Sequence, residues 1–301
     1  MTTLIAIFIH VILPVFVIVA VGYVAGRAMT FDQRTLSRVG LYVLVPCMAF
    51  TAMARTTLSA VEMGQIILFF LLSLPLLYAP SALAARWLRL DPASTSAFHI
   101  GILFANVVNV GFPVLLLAYG QAAIERALVF TITMQISLQS IGVFLAARGK
   151  ANMREAMGRV WQMPGLYAMI AGLIVNAAAV SIPPFIYDPL KMVGDSLVPF
   201  LLLLLGMQLT RVNLGGHLPV AIVATVLRLI VAAGIAIILA DWMGLQGITR
   251  QTVIVESAMP SAIFGVALAQ EFDTAPELIT VIIFVSTIAS MFTLTVLLAI
   301  I

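Results

Sequence analysis

Apolar stretches of about twenty residues, each closed by a short polar break, repeat along the whole chain. They fall near residues 4–26, 36–54, 61–85, 94–118, 123–147, 164–185, 190–209, 217–240, 249–270 and 276–301. A helix that crosses roughly 30 Å of hydrocarbon needs about 20 such residues, so the pattern predicts ten membrane-spanning helices. Two stretches carry polar and helix-breaking residues at mid-depth: Asn106, Asn109, Gly111 and Pro113 in the fourth, and Glu256, Ser257, Pro260 and Ser261 in the ninth. Backbone leaves the helical ladder at that depth only where it faces a cavity or buried protein. Paired breaks at matching places in two halves therefore predict a transporter with its substrate site at the breaks.

The halves echo each other in their prolines. Pro14, Val45-Pro46 and Pro113 recur in order as Pro164, Val198-Pro199 and Pro260. Residues 1–150 and 151–301 then each supply five helices, and an odd number per unit makes the units face opposite ways across the bilayer. The expectation is an all-α membrane protein of two inverted five-helix repeats, related by a pseudo-two-fold axis in the membrane plane. Loop charges orient it. One set of alternate loops holds Arg27, Arg34, Arg38, Arg86, Arg89, Arg148, Lys150, Arg154, Arg159 and Arg211; the other holds Arg55, Arg126, Lys191 and Arg250. This bias puts the central loop in the cytoplasm and both termini outside. The first span has no Lys or Arg before it and no small-residue cleavage site before Arg27, so it reads as a retained helix.

Composition removes other classes. With 63% hydrophobic and 9% charged residues and a mean hydropathy of +1.18, the chain lies far from soluble domains, which run at roughly 45–50% apolar and about 25% charged. No basic and aromatic cluster of the kind a nucleic-acid partner requires is present. The single cysteine, Cys47, allows no internal disulfide. No His, Cys and carboxylate set has metal-ligand spacing, and no triad, phosphate loop or nucleotide fingerprint appears. No metal, cofactor or enzymatic activity is therefore expected.

Candidate chemistry lies in the spans. The half-helix starting near Phe112 presents amides without intrahelical acceptors, an anion site with no need of a cation. Asn106 and Asn109 add amide donors at that level; the plainer alternative is that they cap freed backbone groups. Arg228 and Glu256 lie on consecutive antiparallel helices at comparable depth, where an unpaired charge costs roughly 2.5 kcal/mol or more. Two readings stand: a buried structural ion pair, or Arg228 offsetting an anionic substrate while Glu256 exchanges a proton or cation. Gln135 and Gln139 share one face of the fifth helix, and Met259, Pro260 and Ser261 border the ninth-helix break. His10 and His99 read as interfacial or packing residues, and Asp195 as shallow.

Several of these blocks resemble the auxin efflux carrier family, whose bacterial members are organic-acid permeases and whose plant members export auxin. Asn106 followed by Gly111-Phe112-Pro113 is similar to the family's fourth helix, Leu138-Gln139 to its fifth, Arg228-Leu229 to its eighth and Ala258-Met259-Pro260 to its ninth. Ala269-Gln270-Glu271-Phe272 with Pro276-Glu277-Leu278 is similar to the connection into the tenth. The resemblance implies a sodium/proton-antiporter-like fold with helices 1, 2, 6 and 7 as scaffold. Helices 3–5 and 8–10 form a transport domain in which broken helices 4 and 9 cross, and motion is of the elevator type. The implied substrate is a small mono- or dicarboxylate such as malonate, malate or lactate, carried across a bacterial inner membrane. H⁺ and Na⁺ are the candidate coupling ions, and a homodimer through the scaffold is a further expectation. Departures argue against auxin itself and against carrying proton coupling over from the plant members: Glu62, at the edge, is the third span's sole acid where plant members bury an Asp, Gln270 replaces a basic residue, and Gly265 a second proline. The alternatives are a sodium-coupled symporter of the bile-acid type and a receptor that does not transport.

Overall fold

Residues 2–147, 163–210 and 215–301 are described by the computed structural model, and within them all regular structure is helical. In chain order the helices are α1 Leu4–Ala28, α2 Thr35–Ala54, α3 Ala60–Trp87, α4 Pro92–Leu103, α5 Val107–Tyr119 and α6 Gln121–Ala146. They continue as α7 Pro164–Ala177, α8 Pro184–Leu209, α9 Gly215–Trp242, α10 Gly247–Ser257, α11 Phe264–Glu271 and α12 Pro276–Ile300. Among the described residues, seven helices are long and apolar enough to cross a membrane: α1, α2, α3, α6, α8, α9 and α12. The interrupted fourth and ninth stretches appear as the pairs α4, α5 and α10, α11.

One boundary needs correction. The sixth stretch, expected to run to 185, stops at Ala177, and α8 starts at Pro184 rather than 190. Ala179 takes a positive φ of 50°, and neither Pro183 nor Pro184 can donate to a continuing helix. The central loop from Arg148 to Arg159, together with Arg211, lies outside the described residues, so the charge-based orientation has no structural counterpart here.

Three prolines shape their helices in the same way. Wide π-helical turns occupy Phe8–Ile12, Gly40–Leu44 and Val107–Gly111, each just before Pro14, Pro46 or Pro113. A proline removes one ladder hydrogen bond and its ring pushes away the carbonyl four residues back. Those carbonyls belong to His10, Tyr42 and Asn109, each inside its turn. The expected partners Pro164 and Pro260 behave differently: Pro164 opens α7 and Pro260 sits in the break after α10.

Glycines let one group of helices touch backbone to backbone. A Cβ on Gly22 of α1 would lie 2.2 Å from the Leu203 carbonyl oxygen of α8, and one on Gly206 would lie 2.0 Å from that of Val19. A Cβ on Gly172 of α7 would lie 2.6 Å from the Phe50 carbonyl oxygen of α2, and one on Gly194 of α8 would lie 2.8 Å from the Met48 α-carbon. Small residues at such crossings replace the hydrophobic driving force that lipid cannot provide. In the second group α3, α6, α9, α11 and α12 pack around α4, and α10 packs on α3, α6 and α9, with Phe69, Phe98, Phe104 and Phe130 fully buried in this group. At one end of this second group Arg126 of α6 bonds Glu62 of α3 at 2.8 Å and Thr249 of α10 at 2.7 Å. Thr56, after α2, donates to Glu125 of α6 at 2.6 Å and so ties the groups together.

Candidate functional site at the helix crossing

The two breaks run antiparallel and hydrogen-bond to each other. Asn106 N–H donates to the Pro260 carbonyl at 2.7 Å, and Ala262 N–H donates to the Phe104 carbonyl at 3.0 Å. Each break thus meets part of the backbone demand of the other, the condition for irregular chain deep in an apolar layer. Ser261 fastens the knot further: its hydroxyl donates to the Gly101 carbonyl at 2.6 Å, and its N–H to the Ser286 hydroxyl of α12 at 3.1 Å. Ser286 had no distinguishing signal in the sequence beyond the small polar run Ser286, Thr287 and Ser290 within α12.

Arg228 is 2% exposed and spends its guanidinium on carbonyls. Nε donates to Met259 O at 3.0 Å, Nη1 to Ile102 O at 2.7 Å, and Nη2 to Ser257 O. These oxygens lie at the C-terminal ends of α4 and α10, where carbonyls lose their helical partners and the helix dipole is negative. One fork-shaped cation therefore caps two half-helices at once. The ion pair with Glu256, one of the two readings of the sequence, does not form: three of the five guanidinium N–H groups are spent on carbonyls, and neither Glu256 oxygen has a hydrogen-bond partner among the described residues.

Glu256 is fully buried and turns to α5. A Cβ added to Gly111 would lie 2.3 Å from its Oε2, so glycine lets the carboxyl rest there without shifting. Neither carboxyl oxygen has a hydrogen-bond partner among the described residues; nor do the Ser257 hydroxyl and the Asn106 side-chain nitrogen. Arg228, Glu256 and Ser257 line a cavity closed by α3 and α6 through Phe70, Leu74, Phe130 and Met134. Its volume of about 20 Å³ has room for about one water.

The other candidates separate from that cavity. Asn106, 5% exposed, and half-buried Asn109 lie at the start of α5, whose first turn packs against α8. Gly111 and Pro113 are buried in the same segment. Gln139 is half-buried in a π-helical turn, Leu138–Gly142, which has no proline to cause it; Arg228 sits in another, Leu227–Val231. Such turns are frequent at functional positions. Met259 and Pro260 enter through their carbonyls. His99 is buried against the Ser81 hydroxyl at 2.7 Å, His10 is exposed, and Asp195 pairs with Lys191 at the surface.

A family profile described as membrane transport protein matches residues 7–162 and 153–298, nearly the whole chain. The chain belongs to this auxin efflux carrier family of membrane transport proteins. It is 28% identical over 294 residues to an uncharacterised transporter of Methanothermobacter thermautotrophicus, covering 94% of this chain and 95% of that one. An uncharacterised transporter of Methanocaldococcus jannaschii is 23% identical over 291 residues, covering 93% and 94%. Among the described residues the buried side chains of Asn106, Glu256 and Ser257 lack hydrogen-bond partners on the two segments that cross, which makes the crossing the candidate site.

Proposed function

We propose that the chain is a secondary carrier for a small organic anion, a mono- or dicarboxylate, working by an elevator-type alternating-access cycle. One observation carries the reading: two broken helices cross at a backbone bridge beside Asn106, whose buried side-chain amide has no partner. A carboxylate placed at the start of α5 would receive that amide, the Asn109 amide and the free amides of the first helical turn. Gly111 and Pro113 hold that turn open, Gln139 supplies a further donor, and Met259, Pro260 and Ser261 hold the opposing break. In this reading α1, α2, α7 and α8 are the scaffold and the remaining helices the moving body, as two inverted repeats of five spans with both termini outside the inner membrane.

Arg228 acts by neutralising helix ends and not by binding the anion. The sodium-coupled alternative needs backbone oxygens around Glu256, yet those of Ser257 and Met259 are engaged by Arg228. Uptake of labelled malonate, malate and lactate into proteoliposomes tests the reading, with and without pH and Na⁺ gradients. Saturable flux of one of them is expected; no flux of any, with measurable binding, would favour the receptor.

A further inference from the structure

Among the described residues Glu256 is the one acid lining the cavity beside the crossing, and no group hydrogen-bonds its carboxyl. Both its oxygens are partnerless at full burial, and the neighbouring Ser257 hydroxyl is equally free. An ionised carboxylate only accepts hydrogen bonds and calls for donors; among the described residues none reaches it. The charged group facing it across the cavity is Arg228 of α9, held by three carbonyls. From α3 and α6 the lining brings apolar side chains and Ser73, whose hydroxyl already donates to the Phe70 carbonyl. α5 brings Gly111, α4 brings Leu103, and the break after it brings Ala105. A metal cation would need several oxygens to close around it and would stand beside a guanidinium; a proton needs one oxygen.

We propose that Glu256 is a proton-carrying site, loaded and unloaded through the adjoining cavity, and that its proton crosses the membrane together with the organic anion. The inference rests on the anion-carrier reading above. Loading breaks one O–H bond of a hydronium ion as one O–H bond forms on the carboxylate, leaving water; unloading breaks the carboxyl O–H bond as a water molecule on the other side takes up the proton as hydronium. Coupling follows from position. Glu256 touches Gly111, two residues from Asn109, so an ionised Glu256 repels an anion at the start of α5 and a neutral one does not. Proton and anion thereby favour each other's binding, and a monoanion with one proton moves without net charge. Arg228 stays charged and bonded to the half-helix ends throughout.

The test has one arm that needs no substrate. Infrared spectra of the full-length protein in lipid, stepped between pH about 5 and about 9 where buried carboxyls titrate, should show a protonated-carboxyl band. The band should fade reversibly on alkalinisation and be missing in Glu256→Gln. Identical carboxyl spectra for the two proteins, a band that never fades, or one removed by Na⁺ at constant pH would each overturn the proposal. In the second arm, Glu256→Gln in proteoliposomes should keep malonate counterflow while losing accumulation driven by a pH gradient. Full accumulation in that variant would also overturn it. Absence of malonate flux in the wild type would count against the anion reading alone, since the infrared arm decides the proton site independently.

Discussion

The carboxyl of Glu256 rests against the α-carbon of Gly111, so close that a methyl group there would lie 2.3 Å from Oε2 and 2.9 Å from Cδ. Both residues are buried, so an added methyl group is accommodated only if the Glu256 carboxyl turns aside. Gly111→Ala should therefore destabilise the protein by roughly 1–3 kcal/mol, the usual cost of overpacking. In a Glu256→Ala background the same change should cost little, because the clashing group is gone. Thermal melts of all four proteins measure this coupling, and equal losses in both backgrounds would refute the contact.

Arg228 should behave as a structural cap. Arg228→Met leaves the carbonyls of Ile102, Ser257 and Met259 buried without a donor, and the expected loss is about 3–5 kcal/mol, as when one partner of a buried charged interaction is removed. Glu256→Gln, which breaks no hydrogen bond, should cost about 1 kcal/mol or less. The double variant should show the sum of the two single losses to within about 0.5 kcal/mol. Rescue of Arg228→Met by Glu256→Gln would reinstate the ion pair that the sequence suggested.

The contrast at Arg228 marks how far the sequence could be read. Span positions were legible because hydrocarbon thickness fixes the length of an apolar run, and the breaks because Asn106, Gly111, Pro113 and Pro260 are costly in mid-helix. Position along each helix could be counted as well, which is why Arg228 and Glu256 looked like partners. What such a count does not give is rotation about the helix axis. The π-helical turn at Leu227–Val231 has no proline to announce it, and the route of the guanidinium to three carbonyls depends on where two other helices end. Gly111 carried a signal of its own, since glycine deep in an apolar helix asks for close approach; its neighbour Glu256 was out of reach because the contact is long-range.

Asp91 provides a test away from the crossing. It caps α4, accepting from the amides of Ala93 at 2.9 Å and Ser94 at 3.2 Å. The Ser94 side chain and these amides hold its carboxyl below the usual carboxylate range, outweighing its slight desolvation. A depressed folded-state value means the cap's contribution is fully present above the unfolded-state range and is lost as pH falls through the folded one. Asp91→Ala should cost about 1 kcal/mol at neutral pH, and the gap from wild type should close in acid. A gap that stays constant down to strongly acidic pH would show that the carboxylate is not the capping group.

Asn106 separates binding from architecture. Its backbone N–H makes the bridge to Pro260, while its side-chain nitrogen, buried, makes no hydrogen bond. Asn106→Ala keeps the bridge and deletes an amide that now contributes no hydrogen bond, so stability should change by less than about 1 kcal/mol, and removal of an unpaired polar group could even raise it. Transport should not be spared. If that amide waits for the carboxylate of the substrate, its loss removes a charge-assisted hydrogen bond worth about 1.5–3 kcal/mol, a tenfold to hundredfold fall in apparent affinity. Half-saturation for counterflow and the melting temperature, measured on the same preparation, decide the matter. Unchanged half-saturation with a melting temperature several degrees lower would assign Asn106 to the frame of the crossing and move the anion site elsewhere.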